Sequence, residues 1–217
     1  MAQQLAVIGL GRFGTSVART LAELGQEVFA IDIDEEKVQK LANMVTHAVV
    51  ADVRDIDAMK SIGIRNVDVA VLTVGSDVTS SLVGTMVLKE LGIKQVVAKA
   101  NDDLHGKVLA KVGADKVVYP ERDTGARLAR VLTSTNIIEE IDLDPDYSIV
   151  EMVAPGQMIG KTLAEANVRA KYGVYIMAIR CAHNGVKIAP GADDVVHDGD
   201  IVVAVGDNDS LQHFRRL

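Results

Sequence analysis

The run Leu5-Ala6-Val7-Ile8-Gly9-Leu10-Gly11-Arg12-Phe13-Gly14 constrains this chain most, because an apolar strand passes directly into G-x-G-x-x-G. Each glycine answers a separate steric need. Gly9 makes the tight turn off the strand, Gly11 lets backbone approach a pyrophosphate, and Gly14 allows the next helix to pack closely on the strand. That helix offers its N-terminal N–H groups and positive dipole end to phosphates. A second apolar run, Glu27-Val28-Phe29-Ala30-Ile31-Asp32, ends in a carboxylate at about the spacing of an acid on a ribose hydroxyl. Asp32 is the ribose candidate, and Asp34 can share the role. No arginine directly follows Asp32, which disfavours a cofactor carrying a 2′-phosphate. The plainer reading of the same residues is a tight turn followed by a helix cap.

Alternation of short β-rich runs with helical patterns predicts six strands: Leu5–Ile8, Glu27–Ile31, His47–Ala51, Val67–Thr73, Gln95–Ala98 and Lys116–Tyr119. Runs such as Val67-Asp68-Val69-Ala70-Val71-Leu72 are apolar almost throughout, as strands covered on both faces should be. Helices are expected at Phe13–Leu24, from Asp34 or Glu35, and over Ile56–Ile62, Asp77–Leu91 and Leu104–Val112, with a further helix from Glu121 to Ser134. The fold class is therefore α/β: a Rossmann-like doubly wound parallel sheet, with a second, smaller α+β domain. Asp142-Leu143-Asp144-Pro145-Asp146 reads as a polar linker. The expected division is a nucleotide-binding domain over 1–120, a crossover helix and linker over 121–141, and a small domain over 142–217. In the last, Ser148–Val153 and Ile201–Val205 read as strands, Tyr175–Arg180 and Val186–Ile188 as a hairpin turning at Asn184-Gly185, and Thr162–Asn167 and Asp207–Arg216 as helices.

Composition narrows the function classes. Aromatics are 3% of the 217 residues and the net charge is −7, so stacking platforms are scarce and a polyanionic partner is opposed; no nucleic acid is expected. The single cysteine, Cys181, cannot form an internal disulfide, which points to the cytosol. No apolar run is long enough to span a bilayer and no leader pattern opens the chain, so any membrane association goes through a partner. His47, His105, His183, His197 and His213 share no spacing, and Asp207-Asn208-Asp209 lacks the glycine and distal glutamate of a calcium loop. A dehydrogenase would need a proton-transfer group and a substrate domain, for which the remaining chain has little room. Arg12, inside the glycine loop, either neutralises an additional phosphate, favouring a nucleoside di- or triphosphate, or is a solvated arginine at a helix start.

Several segments are more restrictive than the glycine fingerprint. Gly9-Leu10-Gly11-Arg12-Phe13-Gly14, Ser61-Ile62-Gly63-Ile64-Arg65-Asn66, Tyr119-Pro120-Glu121-Arg122-Asp123 and Asn167-Val168-Arg169-Ala170-Lys171-Tyr172-Gly173 together resemble the cytosolic regulatory subunits of bacterial Ktr-type potassium uptake systems, members of the regulator-of-potassium-conductance family. The resemblance covers nearly the whole chain. It implies a regulator that is not an enzyme, assembled as a homo-octameric ring beneath a membrane-embedded potassium-translocating subunit, cytoplasmic and peripheral at the inner face of the membrane. ATP and ADP would favour different ring shapes. Carried over by residue, Gly9, Gly11 and Gly14 with Phe13 would form the phosphate loop, Arg12 the γ-phosphate contact, Asp32 and Asp34 the ribose acids, and Asp52 with Val53 the adenine edge. Lys99 would be a second basic contact, and Glu121 would join a nucleotide-linked Mg2+, Ca2+ or Na+ site between subunits. Asn167, Arg169, Ala170 and Pro190, with the apolar Leu163 and Ile176, match a cyclic di-AMP site, although Ala164 stands where a larger aliphatic residue is expected. The alternatives are an NAD-dependent oxidoreductase and a channel gating module cut from a longer chain. The start and length of the chain disfavour the second.

Overall fold

The computed structural model describes residues 3–75, 77–132, 136–182 and 185–217, and the chain divides into two compact units, Met1–Asp123 and Thr124–Leu217. In the first unit β1 (Gln4–Ile8), α1 (Arg12–Glu23), β2 (Glu27–Asp32), α2 (Glu35–Leu41), β3 (His47–Val50), α3 (Ile56–Ser61), β4 (Val69–Leu72), α4 (Val78–Glu90), β5 (Gln95–Lys99), α5 (Asp103–Val112) and β6 (Lys116–Val118) alternate along the chain. The six strands form one parallel sheet in the order β3-β2-β1-β4-β5-β6. Successive residues of β1 leave for opposite faces. Ala6 and Ile8 join a cluster with Ile31, Leu72, Leu88 and Val96, while Val7 joins Val28, Ala30, Val38 and Leu41. Two apolar clusters on one sheet explain the continuous apolar strands: neither face meets water. The strand order reverses between β1 and β4, and a crevice opens at the carboxyl ends of the strands where it does so.

Helix α6 (Pro120–Leu132) runs from the first unit into the second. The second unit continues with β7 (Ile137–Asp142), β8 (Tyr147–Val153), α7 (Leu163–Ala166), α8 (Val168–Tyr172), β9 (Tyr175–Cys181), β10 (Gly185–Ile188), β11 (Ile201–Asp207) and α9 (Asn208–Phe214). Its five strands form an antiparallel sheet, β10-β9-β11-β8-β7. Val150, Met152, Val174, Val202, Leu211 and Phe214 are buried in its core.

The acid-rich run 142–146 is not a linker. It is the turn of the β7–β8 hairpin, closed by Leu143 N–H donating to the Tyr147 carbonyl at 2.9 Å and by Asp144 accepting from the Asp146 and Tyr147 N–H groups at 2.8 Å each. Aspartate and proline serve a turn as well as a linker, so composition alone could not separate them. The second unit accordingly takes in β7 and most of α6 instead of beginning at residue 142. Helix α8 is an addition, set off from α7 by Asn167 at φ +49°. Ser134, at the expected end of α6, and His183 and Asn184, at the expected hairpin turn, lie outside the described residues.

Candidate functional site

The glycine loop is fixed from behind by the residues that precede and face it. The Gly9 N–H donates to the Ile31 carbonyl at 2.8 Å, and Gly9 adopts φ +94°. A side chain at Gly14 would place its Cβ 2.0 Å from the Gly9 carbonyl oxygen and 2.5 Å from Thr73 Oγ1. Gly14 is thus the point where α1 rests on the loop. At Gly11 a Cβ would meet no atom within 4 Å. The second glycine therefore leaves open a space that protein does not fill, as a loop built for an approaching phosphate should. Gly11 is also the N-cap of α1, whose first turn carries no acidic residue.

Asp32 does more than the sequence suggests. At 8% exposure its carboxylate accepts from the Leu10 N–H at 2.5 Å and from the Asp34 N–H at 2.9 Å, so it holds the glycine loop and the start of α2 together. Each oxygen keeps a second lone pair for a hydroxyl donor. Asp34 caps α2 through Glu36 N–H, and its side chain lies 3.3 Å from Lys37 Nζ; that lysine bond holds the Asp34 carboxyl below its ordinary range.

Gly9, Gly11, Asp32, Asp52, Val53 and Lys99 line one cavity of about 480 Å³, within the ~300–1,000 Å³ range of small-molecule sites. Asp52 is gripped by Arg54, with Nε 3.0 Å from both carboxylate oxygens and an Nη at 2.7 Å, and this pairing keeps the Asp52 carboxyl well ionised. Val53 is buried, its side chain against Gly84 of α4. Lys99, at 13% side-chain exposure, lies 6.0 Å from the Phe13 ring centroid and bonds Glu121 at 2.5 Å. That bond holds the Glu121 carboxyl below its usual range. Lys37, Arg54, Thr73, Gly75, Ser80 and Asn101, not anticipated from sequence, also line the cavity.

Arg12 stands apart from this wall. It is exposed on the first turn of α1 and is not among the lining residues. Among the described residues no group of three or more His, Cys, Asp or Glu side chains is arranged to hold a metal ion, and the Glu121 carboxylate is engaged by Lys99. In the second unit Leu163 and Ile176 pack against the core, while Asn167, Arg169 and Ala170 are exposed on the α7–α8 corner and Pro190 follows β10. The Arg169 guanidinium sits over the Tyr175 ring, 4.6 Å from its centroid.

The arrangement suits a nucleotide: a cradle open at Gly11, a buried acid, Asp32, with Lys37 Nζ 3.7 Å from one of its oxygens, and a largely buried lysine, Lys99, paired with Glu121. Comparison with known proteins agrees with this frame. Residues 5–120 match the TrkA-N domain and residues 147–217 the TrkA-C domain. The chain is 41% identical to Ktr system potassium uptake protein C of Bacillus subtilis over 216 residues, covering 100% of this chain and 97% of that protein. It is 34% identical to Ktr system potassium uptake protein A of Vibrio alginolyticus over 209 residues, covering 96% and 94%. In fold it is similar to the GsuK RCK domain, with a TM-score of 0.68 at 16% identity, over 100% of this chain and 48% of that one. With both domains matched in order and full-length relatives at this identity, the chain belongs to the TrkA-N/TrkA-C family of Ktr potassium uptake proteins.

Proposed function

We propose that this chain is the nucleotide-sensing regulatory subunit of a membrane potassium uptake system, acting by conformational gating and not by chemistry. One observation carries the reading: a glycine loop tied to a buried ribose-side acid, Asp32, in the same cavity as Lys99. Kinship to the Ktr proteins supplies the transport context. Among the described residues no helix is long and apolar enough to cross a membrane, so the potassium path is assigned to a separate membrane-embedded subunit, with this chain at its cytoplasmic face. ATP and ADP are the proposed ligands, with the adenine near Asp52 and Val53 and the phosphates between Gly11 and Lys99.

A ligand shifts a two-state assembly only by its differential affinity for the two shapes. In the proposed homo-octameric ring, Arg12 answers to the γ-phosphate, and its exposure suits a contact completed by a neighbouring subunit. Phosphate drawn to Lys99 would release Glu121 to the proposed interface cation. Cyclic di-AMP is proposed for the second unit at Asn167, Arg169, Ala170 and Pro190. Calorimetric titration of the full chain with ADP, ATP and NAD is the test. Micromolar binding of ADP and ATP is expected; NAD binding accompanied by nicotinamide turnover would replace this reading with an oxidoreductase.

A further inference from the structure

Behind the cavity wall lies a buried imidazole for which nucleotide binding alone gives no task. His105 stands on the first turn of α5 and is 4% exposed. Its backbone N–H donates to the N-cap, Asp102, at 2.8 Å. The ring reaches back in the other direction: the Asn101 N–H donates to Nδ1 at 3.3 Å, and Nε2 lies 2.7 Å from Oγ of the buried Ser81 on α4. The ring thus reaches one residue past the N-cap that holds its own backbone, and ties the residue before the helix to the first turn of α5. Because Nδ1 accepts, the neutral ring carries its proton on Nε2 and donates to Ser81; once Nδ1 is protonated it can no longer accept.

Asn101 lines the cavity, and its side-chain amide donates to the carbonyl of Gly75, another lining residue on the loop after β4. The approach is close: a Cβ on Gly75 would lie 2.9 Å from Asn101 Oδ1. Hydrogen bonds thus run from the imidazole through Asn101 to Gly75. Titratable neighbours are Asp77 at the start of α4, engaged by Ser80, Asp102 and Asp103 at the start of α5, and Tyr119 after β6, whose phenol packs on Gly106 under the Arg122 guanidinium. Among the described residues, none of these is hydrogen-bonded to the ring.

We infer that His105 is a positioning residue for the nucleotide cavity: its neutral ring holds Asn101, and through it Gly75, in the arrangement that receives the ligand. The inference rests on the nucleotide reading above. ADP titration of the full chain at neutral pH is the test. His105→Ala should bind about tenfold more weakly than the parent, the worth of one acceptor lost. His105→Asn, whose side-chain oxygen can take the place of Nδ1, should recover most of the binding. A His105→Ala protein that binds as the parent does overturns the inference while leaving the nucleotide site standing. A parent that binds no ADP overturns the nucleotide reading instead. Nitrogen NMR of the parent chain then decides the local contact: the Nε2–H tautomer sustains it, and the Nδ1–H tautomer refutes it.

Discussion

At Gly14 a methyl group has nowhere to go, since the carbonyl it would strike belongs to the turn that Asp32 holds. Gly14→Ala should destabilise the fold by about 1–3 kcal/mol, as overpacking does, and lose ADP binding as well. Gly11→Ala meets open space and should melt near the parent temperature while still losing ADP affinity, because the added Cβ occupies ligand volume. Thermal melts paired with calorimetric titration separate the two variants; equal loss of stability in both would refute the distinction. The glycine loop and the acid that closes β2 were legible in the sequence because a tight turn off a strand and a carboxylate at the end of the next one stand at a fixed spacing. Lys37, Arg54, Thr73 and Asn101 were not, since each is an ordinary loop or helix residue brought in by a different strand end. The signal that could have found them is topological: ligands in open α/β sheets bind outside the carboxyl ends of the strands, where all four stand on or just after β2 to β5.

Among the elements, β5 and α4 are joined by one carboxylate ahead of β6. Asp115 accepts from the Val96 N–H at 2.6 Å and pairs with Lys89 of α4 at 3.0 Å. The Val96 bond, aided by Lys89, holds the Asp115 carboxyl below its ordinary value of 3.8. A depressed acid contributes stability that is fully present above its unfolded value and is lost as pH falls through the folded one. Chemical denaturation of Asp115→Ala should therefore show a loss of about 1 kcal/mol at neutral pH, limited by solvent screening, and the gap from the parent should close below about pH 4. A gap that widened in acid would contradict the assignment. The same scale shows why β7 escaped the sequence reading. Ile137-Ile138-Glu139-Glu140-Ile141-Asp142 is an edge strand with three acids, and its charges are answered by Arg127 and Arg130 of the preceding α6 and by Arg215 just past α9. Interior strands advertise themselves by apolarity; an edge strand sustained by ion pairs does not.

The whole molecule comprises two units with separate cores. Ligand that binds only folded protein adds RT ln(1 + [L]/Kd), about 2.7 kcal/mol at a hundredfold excess over Kd. Scanning calorimetry with ADP should raise the transition that unfolds the first unit and leave that of the second in place. An equal shift of both would mean that the units melt as one. The antiparallel sheet carries a practical consequence. One of its two edge strands, β7, precedes residue 147, where the TrkA-C match begins. Trimming a fragment to that match would strip β8 of its neighbour and expose a row of unpaired N–H and C=O groups able to template a foreign strand. A well-behaved excised lobe must therefore begin ahead of Ile137, with enough of α6 retained to bring Arg127 and Arg130 to the acids of that border strand.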